Sequence, residues 1–225
     1  MQPPTPTLKN ALIALSGGLD SSTLLYEYAP QIALAVSFSY GSKHNDKEIA
    51  CAKAITEELG IEHVVIPLNF IGDYFRSSLL QSSAEAIPLE EYNGANIQST
   101  VVPFRNGIML SVLAGLAESR QLEQILIANH FGDHAVYPDC SAAFIHPMTQ
   151  AVEAGTTNRV RLVAPYTSLN KWDIVARGTA LGVPFAKTYS CYQGGELHCG
   201  ECATCRERKQ AFSVAGVPDP TPYLN

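Results

Sequence analysis

Two short stretches of the chain concentrate residues that can do chemistry. The first is Ser16-Gly17-Gly18-Leu19-Asp20-Ser21-Ser22, which sets two glycines among three hydroxyls and one carboxylate. Paired glycines admit a tight turn and let backbone N–H groups approach an anion with no Cβ in the way. If the turn opens a helix, the unpaired donors and partial positive charge of the helix N-terminus aim at the same point. Asp20 is out of place beside bare phosphate, and fits a carboxylate that holds Mg2+ or caps the helix. The string matches neither GxxxxGK[ST] nor GxGxxG, so two familiar nucleotide fingerprints are excluded. It reads as a phosphate cradle, with a plain strand–turn–helix corner as the bland alternative.

The second stretch holds Cys191, Cys199, Cys202 and Cys205 within fifteen residues. In a chain read as cytoplasmic, such clustering implies metal binding rather than a disulfide framework. Four soft thiolates suit tetrahedral Zn2+, and the nearby glycines allow the turns that aim them at one point. An iron–sulfur run would want its next cysteine at position 209, which is lysine. Four sulfur ligands leave no open coordination position, so the expected metal is structural. Arg206, Arg208 and Lys209 read as surface charges of a helix beside this site. Cys51 reads as a small core residue and Cys140 as structural.

Both stretches need elements to position them. Hydrophobic patterning predicts strands over 11–15, 32–40, 62–67, 124–128 and 160–164. Helices are expected over 21–28, 46–59, 69–82, 105–120, 139–154 and 170–181, with a loop over 83–99. The alternation implies an α/β fold, a doubly wound, mainly parallel five-stranded sheet with helices on both faces. The first strand is expected near the centre, with the ligand site outside the carboxyl ends of the strands. From about residue 188 the alternation gives way to a cysteine-rich tail, the expected zinc-binding knuckle. No linker divides the chain, so one domain over 1–225 is expected, with 188–225 as its zinc subregion.

Composition narrows the function. The chain has 225 residues, 46% hydrophobic and 16% charged, with a formal net charge of −6. An acidic balance argues against a protein that embraces nucleic acid through its backbone. No uninterrupted apolar run of about 18 residues occurs, so no spanning helix is expected. The start of the chain lacks the charged opening and small-residue cleavage site of a signal peptide, which points to the cytoplasm.

The first string resembles the SGGxDS pyrophosphate loop of the N-type ATP pyrophosphatases, which adenylate a carbonyl or carboxyl oxygen before a nucleophile displaces AMP. Together with the C-terminal cysteines, the chain resembles the 7-cyano-7-deazaguanine synthase family over roughly residues 12–212. The matching segments are Ser39-Tyr40-Gly41-x-x-His44, Val102-Pro103-x-Arg105-Asn106, Gly132-Asp133, Tyr137-Pro138-Asp139-Cys140 and the stretch from Ser190 to Cys205. Pro103-Phe104 stands where that family commonly has Gly before Arg-Asn, and the Asn129–His134 loop also departs from its commoner version.

The resemblance implies conversion of 7-carboxy-7-deazaguanine and ammonia to the nitrile with two ATP, through an adenylate and an amide. It implies ATP, Mg2+ and Zn2+, a homodimer, and no membrane or direct nucleic-acid partner. Leu15, Ser16, Gly17, Gly18, Leu19, Asp20, Ser21, Ser22, Thr23, Leu24 and Leu25 would line the ATP phosphates, with His44 beside them. Asp20, Ser21 and Arg105 would serve catalysis. Arg105, Asn106, Asp133, Tyr137 and Asp139 would meet the substrate, although Asp139 reads equally well as a helix cap. Two alternatives stay open: a relative that uses the same activation on tRNA or a protein acceptor, and a zinc-containing binding module with a degenerate nucleotide site.

Overall fold

A computed structural model describes residues 9–89, 96–132 and 137–224. Five strands form one sheet: β1 (Ala11–Ala14), β2 (Ile32–Ser39), β3 (Glu62–Pro67), β4 (Gln124–Leu126) and β5 (Arg161–Val163). Their order is β3-β2-β1-β4-β5 and every pairing is parallel. The α/β class, the strand count and the central first strand are as the patterning implied.

Period-two alternation explains the two layers. Leu12, Leu34 and Val36 point to one face, where they pack with α5 (Arg105–Ser119) and α6 (Ala142–Gly155). Ala11, Ile13 and Ala35 point to the other, against α1 (Leu19–Tyr28), α2 (Asn45–Leu59), α7 (Lys171–Ala180) and α8 (Ala203–Ala215). Strand order reverses between β1 and β4, and the turn after β1 faces that switch point, where parallel sheets bind ligands.

Several boundaries differ from the sequence expectation. The helix expected over 69–82 ends at Tyr74, as α3 (Asn69–Tyr74). Residues beyond it exchange helical bonds for tertiary ones: Lys43 N donates to Leu79 O, Gln81 N to Gly41 O and Ser78 N to Ser99 O. Part of the expected 83–99 loop forms a short helix, α4 (Asn96–Thr100). α6 starts at Ala142 rather than 139, because Ser141 caps it through Phe144 N, and 138–140 form a separate 3-10 turn. The tail carries the full helix α8, to which no range had been assigned.

Gln98–Ser119 has the length and mean hydropathy to cross a bilayer, which an inspection of uninterrupted runs overlooks. In the fold its α5 portion buries Gly107, Leu110, Leu113, Ala114 and Ala117, and the apolar side chains serve the core.

Candidate active site

The phosphate loop is shaped by backbone before any ligand arrives. Gly17 adopts φ +84, and a Cβ there would lie 2.2 Å from Glu48 O and 2.8 Å from Ala52 N of α2. Only glycine serves both the left-handed turn and the close helix approach. Ser16 Oγ accepts from Gly18 N at 3.2 Å and lies 3.0 Å from Ser21 Oγ. Gly18 begins α1 without a side-chain cap, which leaves the helix-start N–H groups to an anion.

Asp20 stands at that point. Its Oδ2 lies 3.4 Å from Lys171 Nζ and 3.9 Å from His130 Nε2, and Lys171 also reaches Glu207 Oε2 at 2.6 Å. Asp20 Oδ1 and Ser22 Oγ are buried without a hydrogen-bond partner among the described residues. A buried carboxylate oxygen in that condition costs free energy unless a cation or donor meets it. The donor set and the open helix start therefore fit Mg2+ with a triphosphate.

A cavity of about 430 Å³ runs from this loop across the carboxyl ends of the strands. At its far end Arg105, the first residue of α5, donates from Nη1 to Tyr40 Oη at 3.2 Å, with its guanidinium 5.8 Å from that ring centroid. Burial disfavours the Arg105 charge, but Tyr40, Tyr192, Cys140 and Tyr137 raise its pKa further, so it remains a cation. Asp139 Oδ2 accepts from Asn106 N at 2.8 Å, which fixes the start of α5. Tyr137 Oη lies 2.9 Å from Tyr192 Oη. A cation, amide and aromatic rings around an apolar floor can hold a flat, polar-edged heterocycle bearing an anion.

The turn between β2 and α2 is knit by Asn45. Its Oδ1 accepts from Tyr40 N and Ser42 N, and its Nδ2 donates to Phe38 O. His44 is thereby pressed into the cavity wall, 3% exposed, its ring 5.3 Å from that of Tyr192. Burial, and then Arg105, push its pKa down to about 4, so it is neutral at physiological pH.

The C-terminal cysteines close on one point. All four Sγ atoms lie within 4.8 Å of one another, with the Cys191–Cys202 and Cys199–Cys205 pairs at 3.9 Å. Zinc with sulfurs at about 2.3 Å needs them roughly 3.8 Å apart, so the cluster fits that ion. Backbone N–H groups of Cys199, Glu201 and Cys202 point at the sulfurs. Hydrogen bonding among the thiols holds Cys202 far below the usual thiol range, pushes Cys191 up to about 11 and raises Cys205. Further deprotonation is opposed by like charge, which a dication relieves.

The knuckle also touches the nucleotide loop. Tyr189 N donates to Gly17 O at 3.0 Å, and a Cβ on Gly194 (φ +73) would meet Lys43 O at 1.9 Å. Arg208 corrects the expectation of a surface charge. It is 1% exposed, donates to Thr188 Oγ1, Ser190 Oγ and Phe185 O, and pairs with Asp219. It fastens α8 to the strap that carries Tyr189.

Of the residues singled out in the sequence, Leu15, Ser16, Gly18, Leu19, Asp20, Ser21, His44, Arg105, Asn106 and Tyr137 line one cavity. Gly17, Ser22, Thr23, Leu24, Leu25 and Asp139 stand behind the lining, and Asp133 lies outside the described residues. Sequence reasoning passed over Glu48, Lys171, Tyr192 and Glu207, which also line it. For Glu48 a signal existed: it follows His44 by four residues, so both lie on one face of α2.

Fold and site together define a nucleotide-using α/β protein with a thiolate knuckle at its C-terminus. The chain belongs to the queuosine biosynthesis protein QueC family, whose profile matches residues 10–216. It is 60% identical over 215 residues to a 7-cyano-7-deazaguanine synthase of Porphyromonas gingivalis, covering 96% of this chain and 97% of that one. A protein of the same name from Desulfotalea psychrophila is 48% identical over 217 residues, covering 96% and 99%. The solved structure of NMN synthetase from Francisella tularensis shares the fold, with a TM-score of 0.52 at 14% identity over 93% of this chain and 78% of that one.

Proposed function

We propose that the chain is an ATP-dependent carbon–nitrogen ligase that converts 7-carboxy-7-deazaguanine and ammonia to 7-cyano-7-deazaguanine. The observation that carries this reading is the joining of a phosphate loop and an Arg105–tyrosine wall in one cavity of about 430 Å³. The name of the relatives at 60% and 48% identity supports the product.

Asp20, Ser16 and Ser21 and the helix-start N–H groups would hold Mg2+ and the phosphates, with catalysis by positioning and charge neutralisation. His44 would flank them. Arg105 would pair with the substrate carboxylate, Asn106 and Tyr137 would meet the heterocycle, and Asp139 would hold Asn106 in place. Cys191, Cys199, Cys202 and Cys205 would bind zinc with no ligand position left over, which makes it a structural metal. One carboxylate oxygen takes AMP from ATP and releases pyrophosphate. Ammonia displaces AMP to give the amide. The amide oxygen takes a second AMP, and loss of that AMP with the nitrogen protons leaves the nitrile. One loop serves both activations in turn. Residues 188–225 would be a subregion of one domain, and the chain would act as a cytoplasmic homodimer, which sedimentation at micromolar concentration checks.

Purified protein with ATP, Mg2+, ammonium and 7-carboxy-7-deazaguanine should yield two AMP per nitrile by mass spectrometry, and added amide should be consumed with one ATP. Inert amide beside consumed carboxylate would instead place this chain among enzymes that pass the acyl group elsewhere.

A further inference from the structure

Glu48 lines the cavity between the phosphate loop and Arg105. It lies in the first turn of α2, and its carbonyl oxygen is the atom that a Cβ on Gly17 would strike. Its Oε2 lies 3.8 Å from His44 Nε2, and its side chain keeps 19% of its surface. Among the described residues no lysine or arginine forms an ion pair with it. With a triphosphate on the loop and a carboxylate at Arg105, the reacting carbon must lie near this carboxyl.

Nitrogen transfer poses a proton problem at that spot. Ammonia, like the alkyl amine of lysine, is mostly protonated near neutral pH, and ammonium has no lone pair. Four groups lining the cavity could accept its proton near the reacting carbon. Asp20 and Glu207 are both engaged by Lys171. His44, with its pKa pushed down to about 4 by burial and then by Arg105, is too weak a base. Burial pushes the Glu48 carboxyl up to about 8, against the lowering effect of Arg105. That makes Glu48 a stronger base than an ordinary carboxylate, with an ionised fraction still present near neutral pH.

We propose that Glu48 is the catalytic base of nitrogen transfer: its carboxylate holds ammonium in the cavity and removes one proton, so that NH3 attacks the adenylated carbonyl. The nitrogen lone pair forms the C–N bond, and the C–O bond to AMP breaks with its electron pair leaving on AMP. The second proton, from the adduct nitrogen, passes to water. This inference rests on the ligase reading above.

The test compares full-length wild type with Glu48→Gln in three assays. Carboxylate-dependent exchange of labelled pyrophosphate into ATP reports adenylation. Amide formation reports ammonium use. Hydroxamate formation from hydroxylamine, largely unprotonated at pH 7, bypasses the proton removal. Exchange and hydroxamate should stay within about threefold of wild type, while amide formation at limiting ammonium falls by roughly 100-fold or more. Glu48→Asp, which keeps the carboxyl, should recover part of that loss.

The pH profiles add a second readout. Wild-type amide formation should rise through about pH 8, where Glu48 is half ionised, and level off above it, whereas Glu48→Gln should follow free ammonia alone with no inflection there. The groups facing Glu48 are His44 at the helix start, Arg105 from α5 and Cys51 one turn on. His44 is already neutral in that range, Arg105 stays charged, and burial raises the Cys51 thiol. Unchanged amide formation in Glu48→Gln would overturn the inference, as would exchange and hydroxamate falling in parallel with it. Absence of exchange in wild type would overturn the ligase reading itself and this inference with it.

Discussion

The phosphate loop and the cysteine knuckle are both short turns built around glycine, yet opposite means hold them. The loop takes its shape from a β-strand before it, a helix after it and α2 beneath Gly17. Its polar atoms are left over for a ligand. In the knuckle the sulfurs converge to within 4.8 Å and the backbone follows them. Its polar atoms are the scaffold. Losing a ligand should therefore silence the first region and dismantle the second.

The widest gap between the two should come from metal removal. With zinc bound as proposed, its chelation would withdraw on the order of 10 kcal/mol of metal-linked folding energy from the C-terminal third. Purified protein should carry about one zinc per chain, and Cys202→Ser should release it and lower the melting temperature. Stoichiometric iron with visible charge-transfer absorption would show the cluster to be of another kind. At the loop, Asp20→Asn should cut turnover by roughly 10³-fold while thermal melting moves little. Near-normal conversion of ATP to AMP would leave Asp20 only as the partner of Lys171 and erase the contrast.

A smaller effect should join the regions. Arg208→Met removes the cation beside Asp219, which keeps its bonds from Thr221 N and Tyr223 Oη, and frees the strap whose Tyr189 N–H meets Gly17 O. A loss of about 2–4 kcal/mol in stability is expected, together with a higher KM for ATP. Destabilisation with an unchanged KM would mean that the loop does not need the strap. The smallest effect belongs to the Lys47–Glu196 pair, which ties α2 to the knuckle loop with Glu196 88% exposed. Lys47→Gln should change stability by less than about 1 kcal/mol, readable by denaturant titration.

The same contrast governs what could be read from the sequence. The loop and the cysteines are contiguous strings whose chemistry is local, and the five strands alternate with helices in a regular pattern, so both showed at once. Part of the cavity wall did not, because Glu48, Lys171, Tyr192 and Glu207 come from separate segments that only the fold brings to Arg105. α8 reads from the sequence as a helix without bounds, because Arg208 occupies a buried position in its apolar stripe, where a charged residue reads as surface. The predicted helix over 69–82 failed because Leu79 and Leu80 spend their apolar surface in the core through a loop that pairs with Lys43 and Gly41 instead.

The bond from Tyr189 to Gly17 has a consequence for synthesis. A growing chain emerges from its N-terminus, so the nucleotide loop is made well before its strap. Contacts that close so long a loop form late, after local structure has settled. A nascent or truncated chain thus has the loop's sequence without its final brace until the cysteines have emerged and found their metal. If the knuckle holds zinc as proposed, competence to use ATP becomes a record of the strap's synthesis and of zinc supply, and a cell short of zinc should accumulate this chain in a state that spends no nucleotide.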